Sequence, residues 1–551
     1  MCTRIRRWSC AGLLVAWSIL VCGSVQGAVY YVSPTGTPQG DGSKAKPFSI
    51  GHVLTTLALQ PGDEVVFLDG VYELAKTGAL NIKSVGNEKA PIVYRAENRH
   101  KAILDGGTLV TGWTRVGNEP VWQAKLASAP VSLLVDGEGL LDASSSWRRD
   151  GKQTLEEGMF AADPPEGGTV LTKIHPWGGK EPKEVFSLMG NLVDIGGAYN
   201  IVDGFLIRRG RNGVHIAGRQ VNTYKLEAGT YFDVCGLANN LSGSFNVLRN
   251  CIVRDMPGCA LTSNESRFNL IEDNVIYNSG LGQGDHGIYI SQGAENLTLR
   301  RNVWWRTSGG AIHIYSGSGT DSPRGIVVEY NIFGPDKRNR CFPLKNRKSA
   351  ALYVWGGHRW AGHNRIVHNI VIGPNDRAVS MNSCNFNLIA NNTFLGSDGA
   401  PIQVGSGFGN IIVNNIIEYS PGIQEQDSQA PAGYVFFAFD PKVATALSIC
   451  TSNLLLPRGD QGREIPAFMQ EAKLATADPF MDRAGFDFRL KPGSEAIGLG
   501  KPIPFVTDKP EGTAPDVGAL ELGQEMTGEK GKFPEIPKWL LEEWPLTKRG
   551  Q

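Results

Sequence analysis

One short phrase constrains this chain more than any other feature. An apolar residue is followed three places later by asparagine and then by more apolar residues: VLRNCIV, IEDNVIY, LRRNVWW, VEYNIF, IVHNIVI, IANNTF, IVNNII and CTSNLLL. The asparagines are Asn250, Asn274, Asn302, Asn331, Asn369, Asn392, Asn415 and Asn453. Asn369, Asn392 and Asn415 follow one another at intervals of 23, and the longer intervals read as the same unit carrying insertions. Chance recurrence in a β-sandwich would not repeat one interval in succession. Each phrase predicts a short strand, a turn in which Asn takes a left-handed backbone, and another short strand. Such coils stack about 4.8 Å apart, and their asparagine side chains can bond along the turn as a ladder. The expected fold is all-β, a parallel β-helix.

A second phrase recurs some ten residues after most of these asparagines: VHI at 214–216, CAL at 259–261, IYI at 288–290, IHI at 312–314, LYV at 352–354, VSM at 379–381 and IQV at 402–404. Strand alternation sends the flanking apolar residues inward and the middle one outward. One sheet is therefore expected to display His215, Ala260, Tyr289, His313, Tyr353, Ser380 and Gln403 in a column. A second column beside it reads Ala217, Thr262, Ser291, Tyr315, Trp355, Asn382 and Gly405. A merely solvated face would carry Lys, Glu and Thr; aromatic rings, imidazoles and amides suggest a ligand.

The insertions fall around the same patch. SGLGQGDHG brings Asp285 and His286 to the edge of the sheet. GPDKRNRCFPLKNRKS sets Lys337, Arg338, Arg340, Lys345, Arg347 and Lys348 against one acid, Asp336, and WGGHRWAGHN adds His358, Arg359 and Trp360. Loops that lengthen around one patch of a regular scaffold commonly carry function.

Composition narrows the classes. Lys plus Arg equals Asp plus Glu at 54 each, which does not fit a nucleic-acid binder. The 68 glycines exceed the usual ~7% share without a collagen period. They are assigned to sharp coil turns such as Gly258, Gly287, Gly310 and Gly334. Residues 1–27 read as an export signal, with Arg4, Arg6 and Arg7 before the apolar run from Ala11 to Val21 and a small-residue cleavage site at Val25-Gln26-Gly27. The run is too short to span a membrane, so no span is expected after its removal and the mature protein is expected outside the cytoplasm, secreted or periplasmic. Cys235, Cys251, Cys259, Cys341, Cys384 and Cys450 remain. They have no zinc-type spacing; one or two disulfides are open, with no readable pairing.

On these residues the chain resembles the pectate-lyase-like right-handed parallel β-helix family of secreted carbohydrate-active enzymes, polysaccharide lyases and glycoside hydrolases. AVYYVSPTGTPQGDGSKAKPFSIGHVL is similar to the opening of such proteins, APIVYRAENRHKAILDGG to the coil that follows, HGIYISQGAENLTLRRN to their repeats, and DPFMDRAGFDFRLKPGSEAIGLG to a bacterial closing segment. The resemblance implies an N-terminal helical cap and first coils over 28–107, a β-rich insert over 108–190, the main helix and groove over 191–455, and a closing segment and tail over 456–551. It also implies a polysaccharide partner. The paired aspartates of polygalacturonase-type hydrolases, the calcium cluster of calcium-dependent lyases and the DPH motif of alginate epimerases are not legible. No catalytic residue carries over, no metal ligands are named, and the cofactor stays unknown, calcium included.

Chemistry on the column leaves three readings. Elimination from a uronate polymer needs a base, an acid and cations for the carboxylate. Tyr289 and His313 supply the first two with His286 to orient or replace either, and Arg347 or Lys348 the last. Tyr315, Tyr353, Trp355 and Trp360 stack on sugar faces, and His215 binds at the edge. Hydrolysis instead needs two carboxylates, Asp285 with Asp255, Glu265 or Asp321. A non-catalytic glycan-binding or adhesion solenoid would show a flat aromatic strip without a His–Tyr pair.

Overall fold

The computed structural model describes residues 27–144, 154–218, 242–281, 284–316, 322–336, 350–356, 361–375, 377–397, 401–404, 407–419, 449–457, 465, 469–507 and 512–543, and 224–225 and 231–232 in backbone alone. Residues 1–26, nearly all of the expected export signal, and the basic residues 337–348 lie outside them.

Each coil lays one strand on each of three long sheets. The first has 12 strands, from Val29–Thr37 to Ile449–Thr451; the second has 12, from Gly70–Glu73 to Lys473–Leu474; the third has 16. Along the coils the pairing is parallel, so like positions stack. Ile271, Leu299, Val328, Ile366, Ile389 and Ile412 form one interior file in the first sheet. Ile276, Trp304, Phe333, Val371, Phe394 and Ile417 form another in the second. All of these are buried, and each buried apolar side chain of this size contributes roughly 1.5–3 kcal/mol. The product is a parallel β-helix, as the repeat requires.

The asparagine ladder exists, with two differences from the sequence reading. Nδ2 of Asn274, Asn302, Asn331, Asn369, Asn392 and Asn415 donates to Oδ1 of the next member, ending at Asn453, each at 3.0 Å. Asn250 is not a member: its amide turns to Asp203 at 2.8 Å, and Cys251 takes the ladder position, its N–H donating to Asn274. Nor do the ladder asparagines adopt the left-handed backbone. The residue before each does: Asp273, Arg301, Tyr330, His368, Asn391, Asn414 and Ser452. That residue makes the bend, which turns the asparagine inward to serve the backbone of two coils. A second ladder at another corner, Asn364–Asn387–Asn410, bonds at 2.9 Å on the same interval of 23.

The glycines differ too. Of the four named, Gly310 alone has a positive φ, at 110°. Gly334 is needed for closeness instead: a Cβ there would stand 2.1 Å from the fully buried Trp305 ring.

At its N-terminal side the third sheet leaves the helix. Strand Val185–Ile195 pairs in parallel with Gly210–Ala217 through its second half and antiparallel with Ser132–Val135 through its first. The strands beyond it, antiparallel except where Glu138–Asp142 meets Met159–Ala162, enclose their own core of Trp122, Leu133, Val135, Leu140, Phe160, Ile174 and Val185. This lobe rests against the helix: Glu138 bonds Arg306 at 2.9 Å, and the Gly137 carbonyl accepts from Asn278 at 2.8 Å. The C-terminal segment packs Phe480, Phe488, Leu490, Val517 and Phe533 onto the outer face of the second sheet. A short helix, Ile50–Thr55, lies near the N-terminal coils, capped by Ser49. No helix among the described residues is long and apolar enough to cross a membrane. Cys251, Cys259, Cys384 and Cys450 form no disulfide with one another; Cys235 and Cys341 lie outside the described residues.

Candidate functional site

The third sheet carries the column in a corrected register. Its successive partners are Asp194, His215, Thr262, Tyr289, His313, Tyr353, Ser380 and Gln403. Thr262, not Ala260, stands between His215 and Tyr289; Ala260 is buried, and Asn264 takes the neighbouring column's place beside Ser291. The strand there is Leu261–Asn264, so CAL precedes it and the outward residue falls two positions later.

Tyr289 and His313 are direct register partners with ring centroids 5.4 Å apart. His286 joins them from the loop that follows strand Val275–Ser279. Its backbone is drawn inward, with N–H toward the Cys259 sulfur at 3.4 Å and its carbonyl accepting from Ala260 at 3.1 Å. His286 is 1% exposed, so it lies beneath the face rather than at its edge.

The hydrogen bonds fix which nitrogen bears the proton. Nδ1 of His286 meets the Gly309 carbonyl at 2.7 Å, and a carbonyl only accepts, so Nδ1 donates. Nε2 of a neutral His286 then holds a lone pair, and Nδ1 of His313, 2.8 Å away, donates to it. His313 is left with its lone pair on Nε2, which is buried and without a hydrogen-bond partner among the described residues. Burial brings the His286 pKa down to about 4. Burial first, then the adjoining His286, pushes His313 well below the usual histidine range. Both imidazoles are therefore neutral over the ordinary pH range.

Rings surround that lone pair. Around His313 stand Tyr315, Tyr353 and Trp355, with centroids at 5.4, 5.6 and 6.2 Å. Trp355 is the outermost at 39% exposed. A substrate that reaches Nε2 must turn one of these rings aside. Burial, then the nearby Tyr315 and Cys259, raises the pKa of Tyr289, which keeps its phenol protonated. The arrangement is a neutral base beside a neutral phenolic donor in a dry aromatic setting.

The carboxylates are placed differently. Asp285 stands 3.8 Å from Arg211 at the strand edge, its side chain 20% exposed. Asp255 belongs to the second sheet and is held by Arg254 at 2.8 Å and Asn278 at 2.7 Å, so it does not face Asp285 across the column. Glu265 follows strand Leu261–Asn264 with a left-handed φ of 51°, and Asp321 lies outside the described residues. The structure brings no second carboxylate onto the column beside Tyr289 among the described residues.

At the other end, His215 is the register partner of Asp194 on the neighbouring strand, a residue absent from the sequence-based candidates. His215 Nδ1 donates to Asp194 Oδ1 at 3.1 Å, and Asn191 donates to the same oxygen at 2.9 Å. The phrase LVDI at 192–195, 21 residues ahead of LVDI's partner VHI, was the available signal. Arg211 was also missed, because no phrase placed it near Asp285. Trp360, Arg347 and Lys348 lie outside the described residues. Among those described, no group of three or more His, Cys, Asp or Glu could hold a metal ion.

Fold and column together define a right-handed parallel β-helix protein. Residues 189–334, which include both histidines of the pair, match the family model described as a right handed beta helix region. No curated protein matches the chain in sequence. Solved structures similar in chain path include the pectate lyase Pel9A, 15% identical over 91% of this chain and 98% of that one, with a TM-score of 0.48. XylC in complex with xylose is 14% identical over 82% of this chain and 86% of that one, TM-score 0.47. A GH136 lacto-N-biosidase from Eubacterium ramulus is 13% identical over 81% and 66%, TM-score 0.40. Lyases and glycoside hydrolases thus both stand among the neighbours, and no functional residue carries over from them.

Proposed function

We propose that this chain is an exported carbohydrate-active enzyme that cleaves a uronate-containing glycan by β-elimination, with His313 as base and Tyr289 as acid. The observation that carries the reading is the buried, unpartnered Nε2 of His313, held as a lone pair by the His286 relay and set beside a protonated phenol. His313 Nε2 takes the C5 proton of the uronate. The electron pair left behind forms the C4=C5 double bond as the C4–O4 bond breaks, and the Tyr289 hydroxyl gives its proton to the departing oxygen. A proton passing from His313 back to Tyr289 restores both groups. Arg347 and Lys348, which lie outside the described residues, are the cations proposed for the uronate carboxylate.

The test is a panel of uronate-containing and neutral polysaccharides followed by ultraviolet absorbance and by reducing ends. Absorbance from the new double bond is expected with a uronate polymer. Reducing ends alone would overturn elimination in favour of hydrolysis through Asp285, and binding without cleavage would leave an adhesion solenoid. His313→Ala and Tyr289→Phe should each lower the rate by roughly 10²–10⁴-fold.

A further inference from the structure

The column changes character over its length. From His313 toward the N-terminal coils it passes Tyr289 and Thr262 to reach His215 and Asp194. At about 4.8 Å per rung, His215 stands roughly 10 Å from Tyr289. A pyranose ring in an extended glycan is about one rung long, so a chain lying along the column with one sugar at Tyr289 reaches His215 with another.

The groups at that end form a single oriented network. Asn212 Nδ2 donates to Asn191 Oδ1 at 3.1 Å, and Asn212 Oδ1 accepts from the Cys259 N–H at 3.0 Å, which settles the amide's orientation. Asn191 Nδ2 then donates to Asp194, and so does His215 Nδ1. Burial of Asp194 opposes its ionisation, but the bonds from His215 and Asn191 outweigh burial and hold its pKa below the usual carboxylate value. The carboxylate is therefore charged. With Nδ1 of His215 bonded to Asp194, Nε2 is the ring nitrogen left to meet a ligand. This end of the column presents a fixed carboxylate beside an imidazole, and both side chains are about one-third exposed, at 28% and 32%. It suits a sugar hydroxyl, which donates, and repels a second carboxylate.

We propose that Asp194 and His215, oriented by Asn191 and Asn212, form a subsite for a neutral, hydroxyl-bearing sugar that turns away a uronate. The substrate is then a glycan in which neutral and acidic sugars are mixed, not a uronate homopolymer. This rests on the elimination reading for the acidic sugar at Tyr289, and a binding measurement separates the two. The full chain carrying His313→Ala is titrated calorimetrically with gellan, in which the sugar two places from each uronate is neutral, with chondroitin, in which it is another uronate, and with polygalacturonate. Gellan should bind about tenfold more tightly than chondroitin or polygalacturonate, and His215→Leu should remove that preference. Asp194→Asn, which keeps an acceptor but drops the charge, should strengthen polygalacturonate binding. Equal or tighter binding of chondroitin or polygalacturonate than of gellan by the parent, binding of none of the three, or an unchanged preference in a His215→Leu chain with normal circular dichroism would overturn the subsite. Should the preference hold while no polymer yields an unsaturated product, the subsite stands and elimination falls.

Discussion

Replacing Asn331 by alanine tests what holds the coils in register. Its side chain is wholly buried. Nδ2 donates to the Leu299 and Glu329 carbonyls at 2.9 and 3.0 Å and to Asn369 Oδ1 at 3.0 Å. Oδ1 accepts both the backbone N–H and the side-chain amide of Asn302, each at 3.0 Å. Alanine removes these bonds and strands the Asn302 N–H where water does not reach. A stranded buried donor costs roughly 1–3 kcal/mol, and each lost bond a further 0.5–1.5 kcal/mol net. Because the bonds share donors and are not additive, the expected loss is about 3–5 kcal/mol, near the upper end for a single substitution. Asn98, whose amide meets Asp69 at the surface, supplies the control, and Asn98→Ala should cost under about 0.5 kcal/mol. Guanidinium unfolding followed by circular dichroism measures the difference. A solenoid's stability is a sum of neighbour terms, so hydrogen exchange across 299–305 locates the damage. A loss below about 1 kcal/mol with unchanged exchange there would refute the ladder as a stabilising element.

Three other outcomes follow from the packing and the buried histidines. Gly334→Ala should lower the unfolding free energy by about 1–3 kcal/mol or more, read from the same unfolding curves, since the new methyl meets the Trp305 ring at 2.1 Å and neither can retreat. Acid should destabilise the fold before it denatures outright. His286 and His368 each fall to about 4 through burial, while the unfolded chain binds protons near 6.5, so stability is full above that value and declines as pH drops toward 4. Each histidine then contributes a loss of about 3 kcal/mol over the window, and His368→Gln should flatten the measured slope by one proton. If His313 is the base, the rate should hold as pH falls through 6.5, where an ordinary histidine would fail; a half-maximal point near 6.5 would contradict the dry relay.

How much of this was legible depends on whether backbone period or side-chain direction decides the position. The interval of 23 forced the helix, and the flanking apolar pairs of IYI, IHI and LYV put Tyr289, His313 and Tyr353 in one file, because parallel pairing allows no other alignment. CAL misled, since Ala260 is as apolar as its neighbours and nothing in the phrase marks it as preceding the strand. Asn250 misled for a similar reason: in NNT and NNI the left-handed residue and the ladder residue are both asparagine, so the phrase does not say which role an asparagine plays. His286 was placed in the correct loop, but its burial depends on the Gly309 carbonyl and the Cys259 sulfur, partners each three strands away in sequence. The links among Asp194, Asn191 and His215 were invisible because they join coils through side-chain amides.

Two histidines on one sheet end up with opposite environments, and the difference follows from what stands behind each. His215 leans on a carboxylate, so its proton is anchored, charge stays nearby, and the site remains open to water. His313 leans on another neutral imidazole, whose own proton goes to a main-chain carbonyl, so no charge enters the stack at any point. A base in that setting is weak as judged by its pKa, yet it is not hydrated and has nothing to release before it accepts a proton. The regular coils supply the spacing for both. What sets the His313 end apart is the loop that carries His286 under the face, and on the proposed chemistry His286→Gln should disturb the pH profile of cleavage more than it disturbs substrate binding.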